Sequence, residues 1–239
     1  MRLDKLLSNM GFGSRKEVRI LLKKGTVRLN AEPIKDATAH INLEYDEVTV
    51  LGERVVYKEF IYLMMNKPQG VLSATEDRKD RTVIDLLDAE NRRFEPFPVG
   101  RLDKDTEGFL LLTNDGKLTH NLLSPKKGVS KTYFAHIDGI VTNDDIERFA
   151  EGVTLEDGYL TKPGKLVILK SADVSEIELT ITEGKFHQVK RMFEAVNKKV
   201  IYLKRLSMGP LALDENLILG SYRELTKEEL KLLTEASSQ

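Results

Sequence analysis

The run Gly108-Phe109-Leu110-Leu111-Leu112 leaves a chain few options. An unbroken apolar stretch with charge in front and a Thr-Asn-Asp-Gly turn behind reads as a strand buried on both faces. Ahead of it, GRLDKDTE (Gly100 to Glu107) crowds Asp103, Asp105 and Glu107 together with Arg101 and Lys104 at the strand's mouth. Two explanations fit such crowding. It is a solvated loop in which Arg101 and Asp103 pair, or a carboxylate is held against rigid backbone as a nucleophile or general base. Residue types alone leave both open.

Composition narrows the chemistry around that loop. The 239 residues suit one large domain, or a small one plus a medium one, and 41% hydrophobic with 31% charged residues is ordinary for a globular chain. No apolar run approaches the roughly 18 residues that span a bilayer. The opening MRLDKLLSNMG lacks both a long apolar run and a small-residue cleavage site, so a cytoplasmic protein with no membrane partner is expected. With no cysteine, disulfides, a thiol nucleophile and thiolate metal ligands are excluded. The histidines (His40, His120, His136, His187) are scattered without ligand spacing, so no metal is expected. Neither GxxxxGK[ST] nor GxGxxG occurs, which leaves nucleotide cofactors unsupported, and GxSxG is missing as well.

The net charge of −1 argues against a nucleic-acid partner until its distribution is inspected. Residues 1–35 hold nine cations against Asp4, Glu17 and Glu32, a local charge of +6. Residues 185–205 hold seven cations against Glu194, again +6. Clusters of this kind set the local field that a phosphate backbone meets.

Leu3, Leu6, Leu7 and Met10 recur at helical spacing up to Gly11 and Gly13. Ser14 with Glu17 forms a capping-box pattern for a second helix over 15–24, whose inner face is Val18, Leu21 and Leu22. Its other face carries Arg15, Lys16, Arg19 and Lys23 as one cationic stripe. On its own such a stripe is usually a solvated surface; beside Arg2, Lys5 and Arg28, in a unit too small to be an enzyme, it favours backbone binding. Short strands follow in TVRLNAEPIKD and DEVTV, and LGERVVYKEF reads as a linker. From Phe60 on, strands are expected in FIYLMMN, at 109–113, and in KTYFAHIDG, KLVILK, EIELTITEG and KVIYLKRLSM. Helices are expected in RTVIDLLDA, KLTHNLL, NDDIERFAEG (capped by Asn143 or Asp144), HQVKRMFEAVN and after Thr226. Without a regular βαβ repeat, this is a mixed, largely antiparallel α+β domain.

MRLDKLL followed by SRKEVRILLKKGTVRLNAEPI resembles an S4 RNA-binding module over about residues 1–50. GRLDKDTEGFLLLTND, with NKPQG at 66–70, KTY at 131–133 and EGKFHQVKRMF at 183–193 in the same order, resembles the pseudouridine synthases of the ribosomal small-subunit type. The resemblance implies an S4 domain at 1–58 and a catalytic domain at 59–239, isomerising a uridine of 16S ribosomal RNA without cofactor or metal. It implies that Asp103 is the catalytic aspartate, that Tyr133 stacks on the target base and takes its proton, and that Lys190 pairs with the aspartate, with Arg191 as its rival. Arg101 would hold the flipped nucleotide, and Arg2, Lys5, Arg15, Lys16, Arg19 and Arg28 would meet RNA.

Asp105, Glu107 and the acidic C-terminal helix read as solvated, and Phe186 and Phe193 as core. His187 reads equally as an RNA contact or as a group satisfying the strand-to-helix turn. Two further functions stay open: the same chemistry on 23S ribosomal RNA, or a non-catalytic RNA-binding assembly factor. Intact GRLD, KTY and HQVKR segments weigh against the second. Large-subunit enzymes of this kind usually carry longer basic tails, whereas this sequence closes on ASSQ. A monomer is expected.

Overall fold

A computed structural model describes residues 1–238; Gln239, the end of ASSQ, lies outside the described residues. The chain divides into two compact units, one of Met1–Ile61 with Asp88–Pro96 and one of Tyr62–Leu87 with Phe97 onwards.

In the first unit α1 (Leu3–Asn9) and α2 (Arg15–Lys23) pack over a four-stranded sheet. Its strands are β1 (Val27–Leu29), β2 (Glu32–Pro33), β3 (Val48–Val50) and β4 (Glu53–Arg54), in the order β2-β1-β3-β4. The helical periodicity is obeyed: Leu3, Leu6, Leu7, Met10, Val18 and Leu22 are buried against Val27, Val48 and Val50. Ser14 caps α2 as expected, its backbone N–H donating to Glu17 Oε2 at 2.7 Å and its hydroxyl accepting from the Glu17 N–H at 3.4 Å, an arrangement worth about 0.5–2 kcal/mol. The expected linker is partly structure. Glu53 and Arg54 pair with β3, and Val55 and Tyr57 pack on the core, because a hairpin can satisfy backbone groups that a polar composition leaves undetermined. Residues 88–96 also belong to this unit. There α3 (Ala89–Arg92) leads to Phe94, which packs on the same core, and the Arg93 side chain occupies the space that a Cβ on Gly11 would need.

The second unit is built on a sheet of nine strands: β5 (Tyr62–Lys67), β6 (Phe97–Pro98), β7 (Glu107–Thr113), β8 (Lys131–Asp138), β9 (Lys165–Lys170), β10 (Val174–Ile181), β11 (Lys199–Met208), β12 (Leu211–Ala212) and β13 (Tyr222–Glu224). The order is β13-β5-β7-β11-β8-β10-β9, with β6 on β7 and β12 on β11. The helices are α4 (Gly116–Leu123), α5 (Asn143–Glu151), α6 (Gln188–Glu194) and α7 (Lys227–Ser238). The α+β class is as expected. RTVIDLLDA forms a single 3-10 turn, Val83–Leu86, rather than an α-helix. The cap of α5 is Thr142, not Asn143 or Asp144, because the Asp145 carboxylate reaches back to the Thr142 N–H at 2.8 Å. No helix among the described residues is long and apolar enough to cross a membrane.

All but one of the pairings in this sheet are antiparallel. The exception is β7 beside β11, joined by the register Glu107↔Lys204 and Gly108↔Arg205. At that join the backbones meet closely: a Cβ on Gly108 would stand 2.2 Å from the Arg205 carbonyl oxygen. Gly108 also has φ +100°, where side chains are strained. The glycine before the apolar run is therefore the residue that lets the two halves of the sheet join. Gly108→Ala is expected to lose about 2–6 kcal/mol in urea unfolding, strain and overpacking together. Gly116→Ala, at a helical position with open space around it, should stay within about 1 kcal/mol of wild type. Equal stability of the two variants would refute this role for Gly108.

Candidate active site

Asp103 stands in the loop leading into β7, and that loop is heavily tied. Lys67, at the end of β5, is completely buried and donates from Nζ to the carbonyls of Pro68 (3.0 Å), Asp103 (3.0 Å) and Thr106 (2.9 Å). Ser73 donates to the Leu102 carbonyl at 2.9 Å and accepts from its N–H at 3.0 Å. The Gly70 N–H holds the Lys104 carbonyl at 2.8 Å. Burial pushes the Lys67 ammonium down to about 8, against the pull of Asp103, Asp105 and Glu107. A loop fixed at four successive or near-successive residues presents its side chains with little freedom left to lose.

The Asp103 carboxylate is half-buried. Lys190, in the first turn of α6, places its ammonium 3.0 Å from Asp103 Oδ2 and 2.7 Å from Asp105 Oδ1. Burial works against the charge on Lys190, but the hydrogen bonds to Asp105 and Asp103 outweigh it and hold the ammonium above the ordinary lysine range. Burial also opposes ionisation of Asp105, and Lys190 overcomes it, so Asp105 lies below the usual carboxylate range. His187 Nε2 lies 3.5 Å from the other Asp103 oxygen.

Asp105 is thus exposed but engaged, and Glu107 accepts the Tyr202 hydroxyl at 2.7 Å. Asp105 is solvated as expected, its pairing with Lys190 apart, whereas Glu107 is half-buried, because β11, which the sequence separates from it by more than eighty residues, brings Tyr202 against it.

Tyr133 lies in β8, 7% exposed, directly opposite Arg205 in β11. Arg205 in turn pairs with Gly108, so Tyr133 stands two strand spacings, about 10 Å, from the strand that Asp103 leads into. Arg205 itself is fully buried. Its Nε donates to the Phe109 carbonyl at 2.8 Å and its Nη2 has no partner. Lys131, buried two residues before Tyr133, donates to the Val129 carbonyl at 2.9 Å, and burial, assisted by Arg205, pushes it down to about 8. None of Lys67, Lys131 and Arg205 makes an ion pair among the described residues. Each of them donates to backbone carbonyls instead, and Lys67 also feels the charges of Asp103, Asp105 and Glu107. Sequence reasoning missed them; the one available signal was a lysine or arginine inside strands whose neighbours are apolar.

The remaining candidates separate. Arg191, the rival to Lys190, is ion-paired with Asp157 and does not reach Asp103. Arg101 is exposed. In the first unit Lys5, Arg15, Lys16 and Arg19 are exposed, while Arg2 is bound to the buried Asp4 at 2.7 Å and Arg28 donates to the Ala31 carbonyl at 3.0 Å. Phe193 is core, its ring tilted against Phe149, whereas Phe186 is 76% exposed and lies on His187. Its expected burial fails because the αL backbone of His187 (φ +50°) turns the chain just before α6.

The family model described as RNA pseudouridylate synthase matches residues 61–195, and the S4 domain model matches residues 1–42. The uncharacterized RNA pseudouridine synthase YtzG of Bacillus subtilis (strain 168) is 61% identical, over 98% of this chain and 99% of its own. Ribosomal small subunit pseudouridine synthase A of Vibrio vulnificus (strain CMCP6) is 41% identical over 96% and 98%. Ribosomal large subunit pseudouridine synthase B of Bacillus subtilis (strain 168) is 39% identical over 97% and 95%. A crystal structure of pseudouridylate synthase superimposes with a TM-score of 0.69 at 36% identity, covering 98% of this chain and 99% of that one. A carboxylate at the strand mouth, an S4 unit ahead of it and relatives matched along their whole length lead to one conclusion: the chain belongs to the RNA pseudouridylate synthase family and is an RNA pseudouridine synthase with an N-terminal S4 domain.

Proposed function

We propose that this enzyme isomerises a uridine of small-subunit ribosomal RNA and that Asp103 is its catalytic carboxylate. The observation that carries the reading is the Asp103–Lys190 pair at 3.0 Å, set on a loop that Lys67 and Ser73 immobilise. The reaction breaks the C1′–N1 bond, turns the base and joins C5 to C1′; C5 gives up a proton and N1 gains one, so composition and oxidation state are unchanged. No external reagent is needed. The target must leave its stack to reach Asp103, and the carboxylate then acts on C1′ or on the hydrogen of the adjacent ribose carbon. Tyr133 offers a ring face for the base and a phenol for the C5 proton, and Arg101 holds the flipped nucleotide. The exposed Lys5, Arg15, Lys16 and Arg19 of the S4 unit bind phosphates, which fixes position rather than sequence. A monomer in the cytoplasm suffices for this task.

Small-subunit RNA is favoured by the likeness to the Vibrio vulnificus relative. The likeness to the large-subunit relative is nearly equal, which makes 23S RNA the competing substrate. Unmodified 16S and 23S transcripts, incubated with the enzyme and mapped for pseudouridine, decide between them. A single new site in 16S RNA is expected, and a site in 23S RNA alone would overturn the small-subunit assignment. Asp103→Asn should form no pseudouridine in either transcript while binding RNA within a few-fold of wild type; product at the wild-type rate would remove Asp103 from the chemistry.

The S4 stripe is tested by salt. Replacing Arg15, Lys16 and Arg19 together with Ala should weaken RNA binding and reduce the slope of log K against log salt by about 0.7–0.9 per lost phosphate contact. An unchanged slope would show that these cations face only water.

A further inference from the structure

Phe186 is the least expected residue near the site. Its ring is 76% exposed and lies flat on His187, with centroids 3.7 Å apart and planes 19° from parallel, and His187 Nε2 is 3.5 Å from Asp103. Phe186 therefore forms the outer layer of an aromatic pair whose inner layer lines the candidate active site. An exposed phenylalanine forgoes the gain of burial, so something must hold it there.

That support is buried and polar. Gln188, 4% exposed, accepts the Lys185 N–H at 2.8 Å and donates to Glu183. Glu183, 7% exposed, also receives the Tyr159 hydroxyl at 2.8 Å and the Lys162 N–H at 3.1 Å. The Lys185 ammonium sits 4.6 Å over the Tyr159 ring, and His187 is locked in the αL conformation, which non-glycine residues adopt sparingly. Lys185 and His187, on either side of Phe186, are thus each held by contacts while the ring between them faces solvent.

We propose that Phe186 is the stacking platform for an unpaired base adjacent to the target uridine. The ring's free face is planar and apolar, and the preceding Lys185, which makes no ion pair among the described residues, supplies the positive charge a nucleic-acid backbone seeks. The platform lies one ring beyond the wall formed by His187, so a base stacked there belongs to a neighbour of the nucleotide at Asp103. Phe186 then helps select which single-stranded segment enters the site. The inference rests on the reading of Asp103 as the isomerising centre, and its test keeps the two apart.

The test uses the full chain with unmodified 16S and 23S transcripts, measuring equilibrium binding and the single-turnover rate against enzyme concentration. Phe186→Ala and Phe186→Leu should weaken binding, and raise the half-saturating enzyme concentration, by about 5- to 150-fold, the range that one base–aromatic stack commands. The rate at saturation should fall by much less, and Phe186→Tyr should behave as wild type. The ring is exposed, so truncation leaves the core intact, and unchanged far-UV circular dichroism and thermal midpoint verify that. Wild-type affinity in the Ala variant, or equal affinity in the Leu and Tyr variants, would overturn the proposal. If wild-type enzyme converts neither transcript, the isomerase assignment to these RNAs fails, and the binding series still decides whether Phe186 stacks on RNA.

Discussion

The approach of Gly108 to the backbone of Arg205 is the constraint around which the catalytic unit is arranged. β7 and β11 meet through a short parallel register, and only a residue without a Cβ fits there. Closing that register places the Asp103 loop at one end of β7, buries Arg205 beneath the join and sets Tyr133 on the next strand. A parallel contact needs a crossover. The chain between β7 and β11 supplies one that includes β8, α5, β9, β10 and α6, and α6 carries Lys190 and follows His187. The geometry that joins the sheet also delivers the aspartate's partners.

Charge is managed by position at this join. Lys67 places its three donors on carbonyls, two of them (Asp103 and Thr106) in the loop that carries Asp103, so its charge supports that backbone from behind. Lys190 meets the Asp103 side chain from the front and shares itself with Asp105. Burying an ammonium is costly unless its donors are satisfied, and Lys67 meets that condition. Arg205, with Nη2 unpartnered, does not. The uncompensated charge lies in the interior of an enzyme whose substrate is a polyanion, where it adds to the attraction exerted by exposed cations.

Much of this was legible in the sequence where the determining interactions are local. Ser14 and Glu17 announce a cap because both partners lie within one turn, and Leu3, Leu6, Leu7 and Met10 reveal an inner face through spacing alone. Asp103 and Lys190 emerged only when four ordered segments were read together, since spacing within GRLD leaves a surface ion pair equally acceptable. What escaped depends on distant partners. Lys67 and Arg205 look like surface cations until β7 and β11 enclose them, and Phe186 looks like core until the αL turn at His187 reverses its direction. Phe94 joins the first unit's core from far along the chain, a packing choice with no local signature.

In the proposed reaction Lys190 sustains the Asp103 carboxylate in its working arrangement. The most direct measurement is the single-turnover rate of pseudouridine formation, at saturating enzyme, for Lys190→Met beside Lys190→Arg. Methionine keeps the side chain out to the Cε position but removes the ammonium that Asp103 and Asp105 share. The Met variant is expected to slow by about 10- to 100-fold, as the loss of a charged hydrogen bond implies, while Arg retains most of the rate. A Lys190→Met enzyme that turns over as fast as wild type would contradict this role of Lys190.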